Sequence, residues 1–314
     1  MPFYQIRTNE RPIDIMKHPY KTREGGATVT IFVPYDCNNH CPFCINKEEY
    51  ADMTGFSLEK ICESIRKMDS ITPNCDFVFT GGEPFADIKK LQIMLDQIPT
   101  THRVFINTTL PVSEFTTEED ILAFAERNKH KITCINVSRH MQKYVVESND
   151  DLLARLPVPF RINCVLYKNY PADKLIPYME RFLKVPATSI QFRFDYTATT
   201  PENLYDQDGD KILKDLKKVA EYTGLDGCRM RCGFHFDYKG MELNYHKTLP
   251  YSTIVETDPE DGITYDILYD ILIKQNGDIH SDWTDVMMDI EAYENVKFEP
   301  YDLRWIEGAP RVAE

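Results

Sequence analysis

Val29-Thr30-Ile31-Phe32-Val33 leads, after three intervening residues, into Cys37-Asn38-Asn39-His40-Cys41-Pro42-Phe43-Cys44. The first run is continuous, β-branched and aromatic, so it reads as a buried strand. The three cysteines, at C-x3-C-x2-C spacing, then lie on a short loop leaving the strand's C-terminal end. Thiolates are soft ligands that suit zinc or iron–sulfur clusters. A tetrahedral structural zinc wants a fourth ligand and usually a second C-x2-C knuckle, and no second knuckle follows. Three thiolates on one loop can hold three irons of a cubane and leave the fourth open for chemistry, as an open position does on zinc.

A second motif lies further along. Phe77-Val78-Phe79-Thr80 reads as another strand, and Gly81-Gly82-Glu83-Pro84 follows it directly. Two glycines let backbone approach a ligand without a Cβ in the way. A cysteine triplet with an aromatic residue before its last member, then this GGEP at a later strand end, resembles the radical S-adenosylmethionine superfamily. The resemblance covers about residues 28–196.

Site residues follow from the resemblance. By it, Cys37, Cys41 and Cys44 ligate a [4Fe–4S] cluster, and the amine and carboxylate of S-adenosylmethionine complete the fourth iron. Gly81, Gly82 and Glu83 match the motif that receives the methionine amine. Ser138 and Asn163 sit where relatives contact the ribose. Asn107 and Arg193 are candidates for the methionyl carboxylate, which a guanidinium matches in bidentate geometry. Arg139-His140, just after Ser138, can point to the substrate space, whereas His40 reads as a loop residue. The chemistry implied is one-electron cleavage of the cofactor to a 5′-deoxyadenosyl radical, which abstracts a hydrogen atom from an unactivated C–H. That requires an electron donor such as flavodoxin or ferredoxin.

Composition narrows the rest. At 314 residues the chain can form one large α/β domain with an extension. A net charge of −14 argues against a nucleic-acid partner, since phosphate binding needs a basic surface. No run of about 18 apolar residues occurs, so no membrane span is expected. Met1 to Arg11 is polar, with no signal-peptide core. Nine cysteines, an odd number, do not read as a disulfide framework. With an oxygen-sensitive cluster expected, a reducing cytoplasm is the consistent compartment.

In chain order, residues 1–27 are expected to form an arm packed on the barrel, too short for the winged leader-binding domain that peptide-modifying relatives often carry. Ser57 caps a helix whose Leu58, Ile61, Cys62, Ile65 and Met68 make one apolar stripe. Cys62 reads as a small core residue. A strand at 76–80 precedes a helix capped by Asp87, and a strand at 103–107 precedes a helix opened by Thr116 and Glu119 at capping-box spacing. Strands at 132–138, 159–167 and 189–195 follow, with helices near 149–155 and 172–184. A last helix at about 203–222 is closed by Gly224. Alternating strands and helices imply parallel βαβ units. The fold class is α/β; the family precedent makes it a partial (β/α)6 TIM-type barrel over 28–224, with a C-terminal β-hairpin extension over 225–314 closing the barrel mouth.

Strand parity places Asn136 with Ser138, Arg161 with Asn163, and Gln191 with Arg193 and Asp195, each set on one face. Ordinary barrels fill their interior with branched aliphatics. A polar lumen would hold a polar ligand; the other reading is that these residues pair among themselves, as Arg193 could with Asp195. The same parity puts Cys134 inside and Cys164 toward the helices. After residue 228 two hairpins are expected, turning at Lys239-Gly240 and, as type I′, at Asn276-Gly277. Ser281-Asp282-Trp283 lacks the cysteine with which related extensions often bind an auxiliary cluster.

Cys228 and Cys232 flank Arg229-Met230-Arg231 where the chain should cross the barrel mouth. Three readings stay open: auxiliary-cluster ligands, a catalytic thiol returning a hydrogen atom to the substrate radical, and buried structural cysteines. The expectation overall is an enzyme acting on a small polar substrate by epimerisation, dehydrogenation, cyclisation or rearrangement. Alternatives are a maturase acting on a short ribosomal peptide, an activator of a glycyl-radical partner, and a non-catalytic iron–sulfur or zinc binding protein.

Overall fold

A computed structural model describes residues 18–23, 26–33, 37, 39–44, 55–195, 207–225, 233–247, 253–258, 261–281 and 287–288. The first elements are β1 (Tyr20–Thr22), β2 (Thr28–Val33), α1 (Leu58–Ile71), β3 (Asp76–Gly81), a 3-10 turn (Pro84–Asp87), α2 (Ile88–Leu95), β4 (Arg103–Thr108) and α3 (Glu118–Asn128). There follow β5 (Ile132–Ser138), α4 (Asp150–Ala154), β6 (Phe160–Leu166), a second 3-10 turn (Ala172–Lys174), α5 (Leu175–Phe182), β7 (Ser189–Phe194) and α6 (Lys211–Val219). The chain ends in strands: β8 (Glu221–Leu225), β9 (Gly233–Tyr238), β10 (Met241–His246), β11 (Thr253–Thr257), β12 (Thr264–Leu268), β13 (Asp270–Ile273) and β14 (Ile279–His280). The architecture is mixed α/β with a large, parallel-rich sheet. Among the described residues no helix is long and apolar enough to cross a membrane.

Two compact units form: residues 1–35, 48–104 and 251–314, and residues 36–47 and 105–250. They divide the chain differently from the expected 1–27, 28–224 and 225–314.

In the first unit β13, β2 and β3 run parallel, with Val29 opposite Phe77 and Ile271 opposite Val29. Val29, Ile31, Phe77 and Phe79 are buried, as a strand covered by helices requires. Ser57 accepts from the Lys60 amide at 3.3 Å, and Ile61, Cys62, Ile65 and Met68 of α1 are buried as the stripe predicts. Asp87 caps α2 by accepting from Lys90 N–H at 3.1 Å. The β13–β14 turn differs from the expected type I′. Gly277 N–H donates to Lys274 O and Lys274 N–H to Asp278 O, both at 2.9 Å. The loop therefore has three residues, Gln275 to Gly277, with Gly277 alone at positive φ, +86°. Beside the main strands, β1, β12 and β11 form a separate three-stranded sheet.

In the second unit β5, β6, β7 and β10 run parallel in that order, and β9 and β8 continue antiparallel. The β9–β10 hairpin turns at Lys239-Gly240 as expected, and both residues have positive φ (+55° and +84°), as a type I′ turn requires. Two helix ends depart from expectation. The α3 capping box is Thr117 with Asp120, one residue on from Thr116 and Glu119; Thr117 Oγ1 accepts from Asp120 N–H at 3.2 Å. The helix α6 stops at Val219, Ala220 turns extended, and Gly224 lies inside β8 instead of capping. Pairing of β8 with β9 claims this segment, so a tertiary partner overrides local helix preference. The helix is tied to β10 by a buried ion pair, Lys247 Nζ to Asp210 Oδ2 at 3.0 Å. Tyr245 donates to the same oxygen at 2.9 Å, while Asp210 Oδ1 caps α6 by accepting from Leu213 N–H.

Candidate iron–sulfur and cofactor site

Cys37, Cys41 and Cys44 are half-exposed thiols. Cys62, Cys75, Cys134 and Cys164 are buried. Burial raises their thiols above the ordinary value, Cys75 and Cys164 to about 12, which disfavours their thiolate forms. The soft, accessible donors are thus confined, among the described residues, to the loop after β2. Their side chains are not drawn together as around an ion: no group of three His, Cys, Asp or Glu side chains placed to hold a metal ion occurs among the described residues. As a donor set, three accessible thiols on one loop still fit a cluster, whose bonds would supply the gathering force.

The loop is strapped to the segment after β5. Asn39 Nδ2 donates to Cys37 Sγ at 3.3 Å and to Thr109 Oγ1 at 3.4 Å, while Asn39 Oδ1 accepts from Val146 N–H at 2.9 Å. His40 N–H donates to Tyr144 O at 3.3 Å, and Cys44 N–H to Cys41 O at 3.1 Å. Phe43 sets its ring against His140, Tyr144 and Tyr167, with centroids 5.0, 5.4 and 5.6 Å away. The aromatic residue before the last cysteine is therefore the loop's apolar anchor. The role of Asn39 was not foreseen; its signal is the general preference of asparagine for local side chain–backbone bonds in loops.

Arg139 is fully buried rather than pointed at open space. Its Nη1 donates to Thr109 O and Ser138 O at 3.0 and 2.9 Å, and its Nη2 to Ser148 Oγ at 2.7 Å. These bonds knot the segments after β4 and β5, and Thr109 in turn meets Asn39. A side chain so spent on main-chain oxygens is a positioning group for the loop, which corrects its expected place facing a substrate. His140 accepts the Val165 N–H on Nδ1 at 3.1 Å; burial first, then Arg139, pushes its pKa down to about 4, so its ring is neutral.

Among the expected cofactor residues, Asn107 Oδ1 accepts from Asn136 Nδ2 at 2.6 Å, and Asn136 Oδ1 accepts from Arg161 Nε at 2.6 Å. Ser138 on β5 faces Asn163 on β6, and Asn163 faces Gln191 on β7. Arg193 donates from Nε and Nη2 to Gln191 Oε1 at 3.2 and 3.1 Å. The polar residues thus share one face and partly pair among themselves, while Asn163 Oδ1 is buried with no partner. In the first unit, Gly81 ends β3 at φ +100°, and a Cβ there would lie 2.7 Å from Val33 N. Gly82 N–H donates to Val33 O at 3.2 Å, and Glu83 is buried and accepts from Phe85 N–H at 3.1 Å. So Gly81 is required by the contact of β3 with β2, and Glu83 caps the 3-10 turn. Cys228, Cys232 and Trp283 lie outside the described residues.

Comparison with known proteins places this geometry. Residues 24–147 match the family model described as a 4Fe-4S single cluster domain. No curated protein matches the chain in sequence. The fold is similar to that of Streptococcus suis SuiB bound to S-adenosylmethionine, with TM-score 0.52 and 14% identity over 84% of this chain and 60% of that one. A second SuiB structure gives TM-score 0.50 and 13% identity over 90% and 64%. An anSMEcpe structure with bound AdoMet and Cp18Cys peptide aligns at TM-score 0.40 and 18% identity over 54% and 51%, too loosely to argue from. The chain spans about 60% of the length of SuiB. The cysteine loop lies inside the segment that matches the 4Fe-4S single cluster model, on a fold similar to that of SuiB.

Proposed function

We propose that the chain is an enzyme that binds a [4Fe–4S] cluster through Cys37, Cys41 and Cys44, binds S-adenosylmethionine beside it, and removes a hydrogen atom from a small polar substrate. When bound, the two groups would together supply radical chemistry able to take a hydrogen atom from an unactivated C–H, the one electron it consumes coming from a donor such as flavodoxin or ferredoxin. The observation that carries the reading is the contrast among the described cysteines: three accessible thiols on one strapped loop against four buried ones whose thiols burial pushes up. The chain's residues would divide the remaining work. The thiols hold iron; Gly81, Gly82 and Glu83 receive the methionine amine; Asn107 and Arg193 take the carboxylate; Ser138 and Asn163 take the ribose. The unpartnered oxygen of Asn163 supports the last role, since a ribose hydroxyl would donate to it. Cys228 or Cys232 would return a hydrogen atom if the outcome is epimerisation. Parallel runs β2–β3 and β5–β6–β7 are what a partial (β/α)6 barrel needs.

A short peptide is a second substrate class. It is favoured by the width of the polar face, which runs across five strands, roughly 19 Å at the usual strand spacing. Anaerobic reconstitution tests the main reading. Dithionite-reduced protein should convert S-adenosylmethionine to 5′-deoxyadenosine and methionine, and absence of both products with a full iron load would reject it.

A further inference from the structure

Opposed residues on neighbouring strands point to the same face of a sheet. Along one register row of the second unit that face reads Ser138, Asn163, Gln191, Asn244 and His235, on β5, β6, β7, β10 and β9. Glu242 and Asp237 oppose each other two residues toward the β9–β10 turn. The face borders open space: in β6, Arg161, Asn163 and Val165 are half-exposed while the residues between them are buried.

Asn244 is 7% exposed. Its Nδ2 donates to Glu242 Oε1 at 2.8 Å. An ionised carboxylate only accepts, so this bond fixes which end of the amide is which. Asn244 Oδ1 is thereby locked as an acceptor, and it is buried with no hydrogen-bond partner. A buried acceptor left without a donor is uncommon in folded proteins and calls for one. Asn244 stands on β10, outside the strands that resemble the radical S-adenosylmethionine core, and nothing in the cofactor assignment uses it.

We propose that Asn244 Oδ1 receives the primary ammonium group of a ligand, held on the β7–β10 part of this face. The oxygen requires a donor, and the Glu242 carboxylate bonded to the same amide adds negative charge that favours a cationic donor over an alcohol. Asn163 Oδ1, the other unpartnered oxygen described on this face, is two strand spacings away, about 10 Å. Calling the amine the substrate's own rests on the function proposed above; the amine site itself does not.

The test is a titration of the 15N-labelled chain with methylammonium, against ethylene glycol and tetramethylammonium as donor-only and charge-only controls. The Asn244 side-chain amide signal, assigned by its loss in Asn244→Leu, should move saturably with methylammonium and with neither control. Glu242→Gln keeps an acceptor for Nδ2 but removes the charge, and should weaken methylammonium about fivefold. No movement with any probe overturns the site. Movement with ethylene glycol overturns the ammonium assignment, and movement with tetramethylammonium overturns the hydrogen bond. Should Asn244→Leu misfold, the wild-type and Glu242→Gln titrations still decide, with the signal assigned by triple-resonance spectroscopy. A normal titration without 5′-deoxyadenosine formation would sink the cofactor reading and leave the amine site standing; the reverse result would do the opposite.

Discussion

Asn39 holds three parts of the second unit at once: the Cys37 sulfur, the Thr109 hydroxyl and the Val146 amide. An N–H bonded to a ligating sulfur offsets negative charge and raises a cluster's potential. Asn39→Leu is therefore expected to shift the reconstituted cluster's midpoint potential to more negative values, read by redox titration with electron paramagnetic resonance. An unchanged potential would mean the bond is not kept once iron is bound. His140 makes a different prediction. Its pKa in the folded chain is about 4, against 6.5 for an ordinary histidine. Between those values the unfolded chain binds a proton that the native one refuses. Stability from the neutral ring is full above pH 6.5 and is lost as pH falls toward 4, by up to about 3 kcal/mol. His140→Gln can still accept from Val165 N–H, so it should flatten that part of the acid slope in denaturant titrations at pH 7 and 4.5. Equal slopes in the two proteins would refute the assignment.

Strands were the most legible elements. The readings 103–107, 132–138 and 189–195 fall on Arg103–Thr108, Ile132–Ser138 and Ser189–Phe194, because an apolar run bounded by polar turns leaves little choice of register. For the glycine motif the structure gives a packing reason at Gly81. A Cβ at φ +100° would strike the Val33 backbone at 2.7 Å. Gly81→Ala is accordingly expected to destabilise by about 1–3 kcal/mol before any cofactor is added, checked by thermal unfolding of the apo chain. What escaped the sequence depends on distant partners. The end of α6 is set by β9, and Arg139 looked available only because its neighbours Thr109 and Ser148 could not be known to close over it. The small β1–β12–β11 sheet joins segments more than 230 residues apart, beyond any local pattern.

For the molecule as a whole, the decisive quantity is iron per chain. The accessible thiols described number three, all on one loop. One cubane, about four irons per chain, is expected after reconstitution, and Cys44→Ala should lose both that iron and the visible absorption. About eight irons per chain would instead bring Cys228 and Cys232 into a second cluster. Neither cysteine was assignable from sequence, since two thiols with two intervening arginines are compatible with a buried pair, a hydrogen-atom donor or a ligand pair.

The pairing of β2 with β13 also governs how the chain is made. Thr28 to Ile31 of β2 take their outer partner from Asp270 to Ile273, and Thr30 Oγ1 reaches Asp270 Oδ1 across 240 positions. A ribosome adding about 5–20 residues per second needs roughly 12–48 s to cover that stretch. Throughout that interval one edge of the strand that leads into the cysteine loop lacks its native neighbour and can pair with any other extended chain it meets. Slowing translation late in the message should therefore lower the soluble yield more than slowing it early.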